Sequence, residues 1–71
     1  MMPTPIAKTN IEGVAIISTI QLPLVESSHS YETMIFFEDE GKDEYQVRST
    51  TRASALLAHI DAIAFVIGYE E

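Results

Sequence analysis

The stretch that decides the fold is "TTRASALLAHIDAIAFVI", residues 50–67. It is rich in Ala and Leu and contains neither Pro nor Gly, a composition typical of an α-helix. Thr50 or Thr51 can cap the first turn, because a threonine hydroxyl accepts a hydrogen bond from a backbone N–H two or three residues further on. Gly68 can end the helix in the left-handed conformation. The stretch therefore predicts one long helix that follows all the other elements.

This helix is apolar over more than one face. Its main stripe, at helical spacing, consists of Leu56, Ile60, Ile63 and Ile67. Leu57, Ala64 and Phe65 extend the apolar surface beyond the stripe of about 100° that covers one face of a sheet. We therefore expect part of the helix to form a subunit interface, made by Leu56, Leu57, Ile60, Ile63 and Phe65.

Three segments before the helix have the pattern of β-strands: residues 11–22, 31–38 and 44–49. The first two carry apolar side chains on both faces, whereas an antiparallel sheet normally exposes one face to water. The predicted fold class is α+β, a small antiparallel three-stranded sheet in the order β-β-β-α with the C-terminal helix packed across it. Residues 1–10 contain two prolines and little pattern, so we expect a flexible N-terminal arm followed by a single α+β domain over residues 11–71.

The size and charge of the chain limit its partners. It has 71 residues, no cysteine and a formal net charge of −7. A chain of this length buries only about 60% of its unfolded surface, and without disulfides a partner subunit is the usual stabiliser. The negative charge disfavours nucleic-acid phosphates and anionic membranes. We expect a cytoplasmic homodimer or higher oligomer, with no direct nucleic-acid binding and no membrane segment.

An acidic segment, "EDEGKDE" at residues 38–44, connects the second and third predicted strands. It lacks the alternating ligands and terminal Glu of a calcium loop, so no metal site is predicted there. Charge at a hairpin tip keeps a sheet edge from aggregating. The same carboxylates can also enter a basic groove on another protein. The candidate partner-binding residues are Glu38, Asp39, Glu40, Asp43 and Glu44.

A second candidate site is cationic. Arg48, Arg52 and His59 could gather around the symmetry axis of an oligomer and hold a small anionic ligand or form an interface. Alternatively, His59 is a hydrogen-bonded, half-buried histidine of the helix. The sequence contains no phosphate loop, dinucleotide fingerprint, zinc-ligand spacing or nucleophile elbow, so we predict no cofactor, no metal and no catalytic residue.

Three stretches carry a resemblance: "ISTIQL" at 17–22, "YETMIF" at 31–36 and "VRSTTRASALLAHIDAI" at 47–63. Together they are similar to a group of small, uncharacterised phage and prophage proteins, whose pattern runs Ser-Thr-Val, Glu-Thr-Met-Val-Phe, Arg-Tyr-Ser-Thr, then Ala and Gly-His. This chain has Ser49 in place of the Tyr, Ala58 in place of the Gly, and no acid in the first turn of the helix. The resemblance implies a phage context and no particular activity.

These observations favour a non-enzymatic phage or prophage accessory protein. We expect it to bind a host protein with a basic surface through the acidic hairpin, for example as an anti-CRISPR-like inhibitor of bacterial defence. One alternative is a homo-oligomer that sequesters a small anionic ligand. The other is a small virion or assembly component held by its apolar surfaces.

Overall fold

The computed structural model describes residues 3–23, 30–39 and 45–70, with the side chains of 69 and 70 excepted. The strands form one antiparallel sheet in the order β1-β2-β3-β4, and the helix packs across one face of it. The predicted α+β class is confirmed, but the predicted three-stranded sheet is wrong, because the sheet has four strands. The elements are β1 Thr4–Ile11, β2 Ala15–Gln21, β3 Tyr31–Phe37, β4 Tyr45–Ser49 and α1 Arg52–Glu70.

The additional strand, β1, comes from the residues expected to form an arm. It pairs with β2 along its whole length, from Thr4 opposite Gln21 to Ile11 opposite Ala15. Proline cannot donate a hydrogen bond to a neighbouring strand and is therefore confined to sheet edges. β1 is an edge strand, and its register shifts between Pro5 and Ala7. The prolines that suggested an arm therefore fit an edge strand.

A tight turn at residues 11–14 joins β1 to β2. The Val14 N–H donates to the Ile11 carbonyl at 2.9 Å, and Gly13 has a φ of 76°. A positive φ at the third position alone defines a type II turn, which favours glycine there. The strand predicted over residues 11–22 therefore begins only at Ala15, because residues 12–14 form the turn. Gly13 was the local signal for this turn in the sequence.

The start of α1 follows the prediction and its end does not. The Ser54 N–H donates to Thr51 Oγ1 at 3.1 Å, and the Thr51 N–H donates to Ser54 Oγ at 3.2 Å. This reciprocal pair is a capping box with Ser in place of the usual Glu or Gln. The predicted stop at Gly68 is wrong, because the helix continues to Glu70 and Gly68 does not adopt a positive φ.

Small side chains on α1 allow the helix to lie close to the sheet. Ala55, Ala58 and Ala62 are buried on the inner side of the helix. The central core cluster is formed by Ala15, Ile17, Ile35, Ala62 and Val66. Because side chains alternate along a strand, the residues between these core positions lie on the opposite side of the sheet, here called the outer sheet face.

Within the described residues, no helix has both the length and the hydropathy required to cross a bilayer.

Candidate functional sites

His59 is the centre of a buried polar cluster between helix and sheet. Its side chain is 5% exposed. Its Nε2 is hydrogen-bonded to Thr9 Oγ1 at 2.9 Å, and its Nδ1 to Thr19 Oγ1 at 2.7 Å. Thr19 Oγ1 is in turn 2.7 Å from Thr33 Oγ1. The His59 cluster, defined as these four residues, therefore connects α1 to β1, β2 and β3.

Burial determines the protonation state of this histidine. Desolvation lowers the pKa of His59 below its ordinary value, so the ring is neutral at pH 7. A neutral imidazole donates through one nitrogen and accepts at the other, and the two threonine hydroxyls can satisfy either tautomer. Among the described side chains, no buried nitrogen or oxygen lacks a hydrogen-bond partner. The cluster anchors the helix, and its ring is held by hydroxyls rather than by the carboxylate that usually orients a general base.

Sequence reasoning named His59 but not its threonine partners. Thr19 and Thr33 are fully buried and lie opposite each other in the β2–β3 register. Thr19 is two residues from the core residue Ile17, and Thr33 is two residues from the core residue Ile35. Each threonine therefore lies on the same face of the sheet as that isoleucine. This spacing was available in the sequence, but nothing there showed which face the helix covers.

Arg48 belongs to a different cluster, on the outer sheet face. Its Nε donates to Glu32 Oε2 at 3.1 Å, and Gln46 Nε2 donates to the same oxygen. Glu32 and Arg48 are direct neighbours across β3 and β4. The Glu32 side chain is 11% exposed and that of Arg48 is 51% exposed. This arrangement satisfies a largely buried carboxylate and uses the Nε–H of Arg48, one of the five N–H donors of its guanidinium.

The three residues of the predicted anionic-ligand site are therefore not brought together within one chain. His59 lies between helix and sheet, whereas Arg48 lies on the outer sheet face. Arg52 is exposed in the first turn of α1. Strand alternation separates Arg48 from His59, because Val47, the neighbour of Arg48, lies on the helix side with its partner Thr33.

Part of the acidic segment lies within the described residues. Glu38 and Asp39 are exposed directly after β3. Because β3 and β4 are antiparallel neighbours, residues 38–44 connect the two strands of a hairpin. Glu40, Asp43 and Glu44, like His29 in the other connection, lie outside the described residues. Among the residues that are described, no three His, Asp or Glu side chains are grouped to hold a metal ion.

The outer sheet face is mostly apolar on its two central strands and polar on its two edge strands. On the central strands β2 and β3 it carries Ile16, Ile20, Met34 and Phe36, together with Ser18 opposite Met34 and the bonded Glu32 opposite Ile20; on the edge strands β1 and β4 it carries Lys8, Asn10, Gln46 and Arg48. Phe36 is 53% exposed, and the other three apolar side chains are half-buried. An apolar centre surrounded by polar side chains is the usual anatomy of a protein–protein interface.

The outward side of α1 is a second exposed apolar surface. Of the predicted interface residues, the structure exposes Leu56, Leu57, Ile60 and Phe65. Ile63 instead is half-buried and packs against the core cluster. The positions that point most directly away from the sheet follow a spacing of four and three residues and are here called the outer seam. They are Ala53, Leu57, Ile60, Ala64 and Ile67, all exposed.

Phe65 lies beside the seam rather than on it. Its ring is 5.0 Å from the Tyr45 ring between centroids, with an interplanar angle of 41°. Burial, and secondarily the negative charge of Asp61, raises the pKa of Tyr45. The contact fixes one flank of α1 over β4. The exposed seam residues Ala53, Ala64 and Ile67 were not among the residues predicted for the interface.

No family model matches this chain, and comparisons with curated proteins and with solved structures gave no match.

Proposed function

We propose that this protein is a protein-binding module that holds its partner on the outer sheet face and the adjoining acidic hairpin. The observation that carries the proposal is Phe36, a large apolar side chain that is 53% exposed on the outer sheet face, one residue before β3 ends. Ile16 lies directly beside it on β2, and Met34 precedes it by two residues on the same face. Contact with a partner would remove this apolar area from water, at about 25 cal/mol per Å² before the costs of association.

The adjoining charges indicate the chemistry of the partner. Glu38 and Asp39 follow the strand that carries Phe36 and are exposed. Residues 38–44 contain five acids and one lysine, a net charge of −4 out of the −7 of the whole chain. An apolar contact beside a concentrated negative charge favours a protein surface that is apolar at its centre and basic at one side.

The biological role that agrees best with these features is that of a phage or prophage accessory protein that binds a host protein. Its small size, its acidity and the resemblance to phage proteins support this role. The most specific form is an inhibitor of bacterial defence, in which the carboxylates occupy a basic groove that otherwise holds nucleic-acid phosphates. Such binding weakens as salt screens the charges.

A plating assay tests this function. Phage growth is measured in cells that carry a defence system active against the phage and that produce either this protein or a variant. We expect the wild-type protein to restore plating, and a variant with all five hairpin acids replaced by their amides (E38Q, D39N, E40Q, D43N, E44Q) to lose that ability. Asp61→Asn is the matched control, because Asp61 is an exposed acid on α1, on the other side of the sheet.

Two results would contradict the proposal. Full restoration by the folded five-amide variant would remove the acidic hairpin from the binding surface. Failure of the wild-type protein against a panel of defence systems would remove the inhibitory role, while a partner bound at Phe36 would still establish the binding module.

A further inference from the structure

The outer seam of α1 has the geometry of a helix-packing surface. We propose that two copies of this chain associate through it, with the two helices antiparallel and a twofold axis at Ile60. The proposal goes beyond partner binding on the outer sheet face, because it assigns a different surface and a different occupant.

Exposure and spacing both favour a helix partner on this surface. Leu57, Ile60 and Ile67 are 63%, 60% and 51% exposed. The water-facing side of a helix in a small monomer is ordinarily polar. Here the positions follow a spacing of four, three, four and three residues from Ala53 to Ile67, the spacing that keeps one stripe in contact with a second helix.

The distribution of charge favours a second copy as the partner. Each copy carries −7, so two copies repel unless they meet where charge is absent. The five seam positions are uncharged, and the residues that flank them include one base, Arg52, and one acid, Asp61. A basic partner would gain no electrostatic attraction on this neutral stripe, whereas it would at the acidic hairpin. The seam is therefore the surface on which two acidic copies can approach each other.

The order of large and small side chains selects the antiparallel arrangement. Reading along the seam, the sizes run small, large, large, small, large. With a twofold axis at Ile60, antiparallel helices place Leu57 next to Ala64 of the second copy and Ile67 next to its Ala53. Leu57 and Ile67 then each pack over an alanine, and the two copies of Ile60 meet on the axis, so the seam is filled as close helix packing requires. A parallel pair would put alanine opposite alanine and leave gaps.

A stable dimer requires a large contact area, which favours an alignment of the two helices that uses the whole seam. A specific interface buries about 800 Å² per partner. The seam extends about 21 Å from Ala53 to Ile67 at 1.5 Å per residue. An axis at Ile60 overlaps this full length, while a shift of one helical turn in either direction would leave one end of the seam uncovered. Antiparallel helix dipoles also attract each other, whereas parallel ones repel.

The resulting dimer has four layers in the order sheet, helix, helix, sheet. Both outer sheet faces then point away from the interface in opposite directions, each with its own Phe36 and acidic hairpin. If the proposed function holds, one dimer can bind two partner molecules at once, which raises the apparent affinity for an oligomeric or clustered target.

Cysteine cross-linking tests both the contact and its direction, because the chain contains no cysteine of its own. Under mild oxidation we expect Ile60→Cys to form a disulfide-linked dimer, since the two thiols meet on the axis. Ala53→Cys and Ile67→Cys should each remain uncross-linked alone and should cross-link when both proteins are mixed. Efficient cross-linking of Ala53→Cys with itself would overturn the antiparallel arrangement, and no cross-link from any of these positions would overturn the dimer.

Solution mass provides a second measurement. Light scattering at tens of micromolar should give twice the 7.9 kDa of one chain. Ile60→Glu places two carboxylates together on the axis and should give the single-chain mass with an unchanged circular dichroism spectrum. Thr50→Glu adds the same charge at an exposed position off the seam and should remain dimeric. A wild-type monomer at this concentration would overturn the proposal, while loss of partner binding in a dimeric Phe36→Ser variant would concern the proposed function alone.

Discussion

His59 Nε2 lies 2.9 Å from Thr9 Oγ1, so one hydrogen bond joins the C-terminal helix to the N-terminal edge strand across fifty residues of sequence. The other ring nitrogen is 2.7 Å from Thr19 Oγ1 on the neighbouring strand. The histidine therefore determines how α1 sits on the β1 side of the sheet.

His59→Ala should destabilise the fold substantially. It removes two hydrogen bonds and leaves the hydroxyls of half-buried Thr9 and buried Thr19 with one partner fewer, at about 1–3 kcal/mol for a buried group left unsatisfied. Urea unfolding followed by circular dichroism measures the loss. Asp61→Ala, an exposed substitution on the same helix, is the control and should stay within about 0.5 kcal/mol. Equal midpoints for the two variants would show that the cluster does not anchor the helix.

Stability should also depend on pH through His59. The folded-state pKa is lowered by burial, so in the pH range between that value and the unfolded value of about 6.5 the unfolded chain binds more protons. The stability contribution is complete above about pH 6.5 and declines as the pH falls below it. Urea unfolding at pH 7.5 and pH 5 should show a larger loss for the wild type than for His59→Gln. The carboxylates contribute equally to both proteins, so parallel pH profiles would mean that His59 is not buried as a neutral ring.

The two faces of β2 can be compared with a matched pair of substitutions. Ile17 is completely buried in the core, while its neighbour Ile16 is half-buried on the outer sheet face. Ile17→Ala should cost about 2–5 kcal/mol, the range for truncation of a buried isoleucine. Ile16→Ala should cost clearly less in the isolated protein. The reverse order in urea unfolding would place the helix on the other side of the sheet.

Replacement of Gly13 by alanine should lower the stability of the fold, whereas replacement of Gly68 by alanine should raise it. Gly13 has a φ of 76°, and a Cβ placed there meets nothing within 4 Å, so Gly13→Ala is opposed by the backbone conformation alone. A loss of about 1 kcal/mol is expected. Gly68 lies inside α1 with no atom in the way, and Gly68→Ala should stabilise by up to about 1 kcal/mol. Thermal unfolding of both variants checks the turn and the helix end, and a stabilising Gly13→Ala would exclude the type II turn.

The sequence predicted the elements whose signal is local. The helix, its Thr51 cap and the strands around Ile17 and Ile35 follow from composition and periodicity. Strand β1 was missed because Pro3 and Pro5 resemble a loosely attached segment, and only the position of β1 at the sheet edge explains them.

The candidate sites depend on which face of the sheet the helix covers, and the alternation of side chains along the strands does not show that. Both faces of β2 and β3 are apolar, so the pattern could not show which face the helix covers. That choice places Thr19 and Thr33 beside His59 and moves Arg48 to the opposite side. The same choice leaves Phe36 exposed.

Photo-crosslinking in living cells, from one position on each of the two proposed surfaces, tests most directly which partner each surface binds. A photoreactive side chain is placed at Phe36 on the outer sheet face or at Ile60 on the outer seam, both more than half exposed. From position 60 the cross-linked product should have twice the mass of one chain. From position 36 it should join this chain to a different protein and disappear when the five hairpin acids are replaced by amides. Self-linked dimers from position 36, or a foreign protein bound at position 60, would contradict the assignment of the two surfaces.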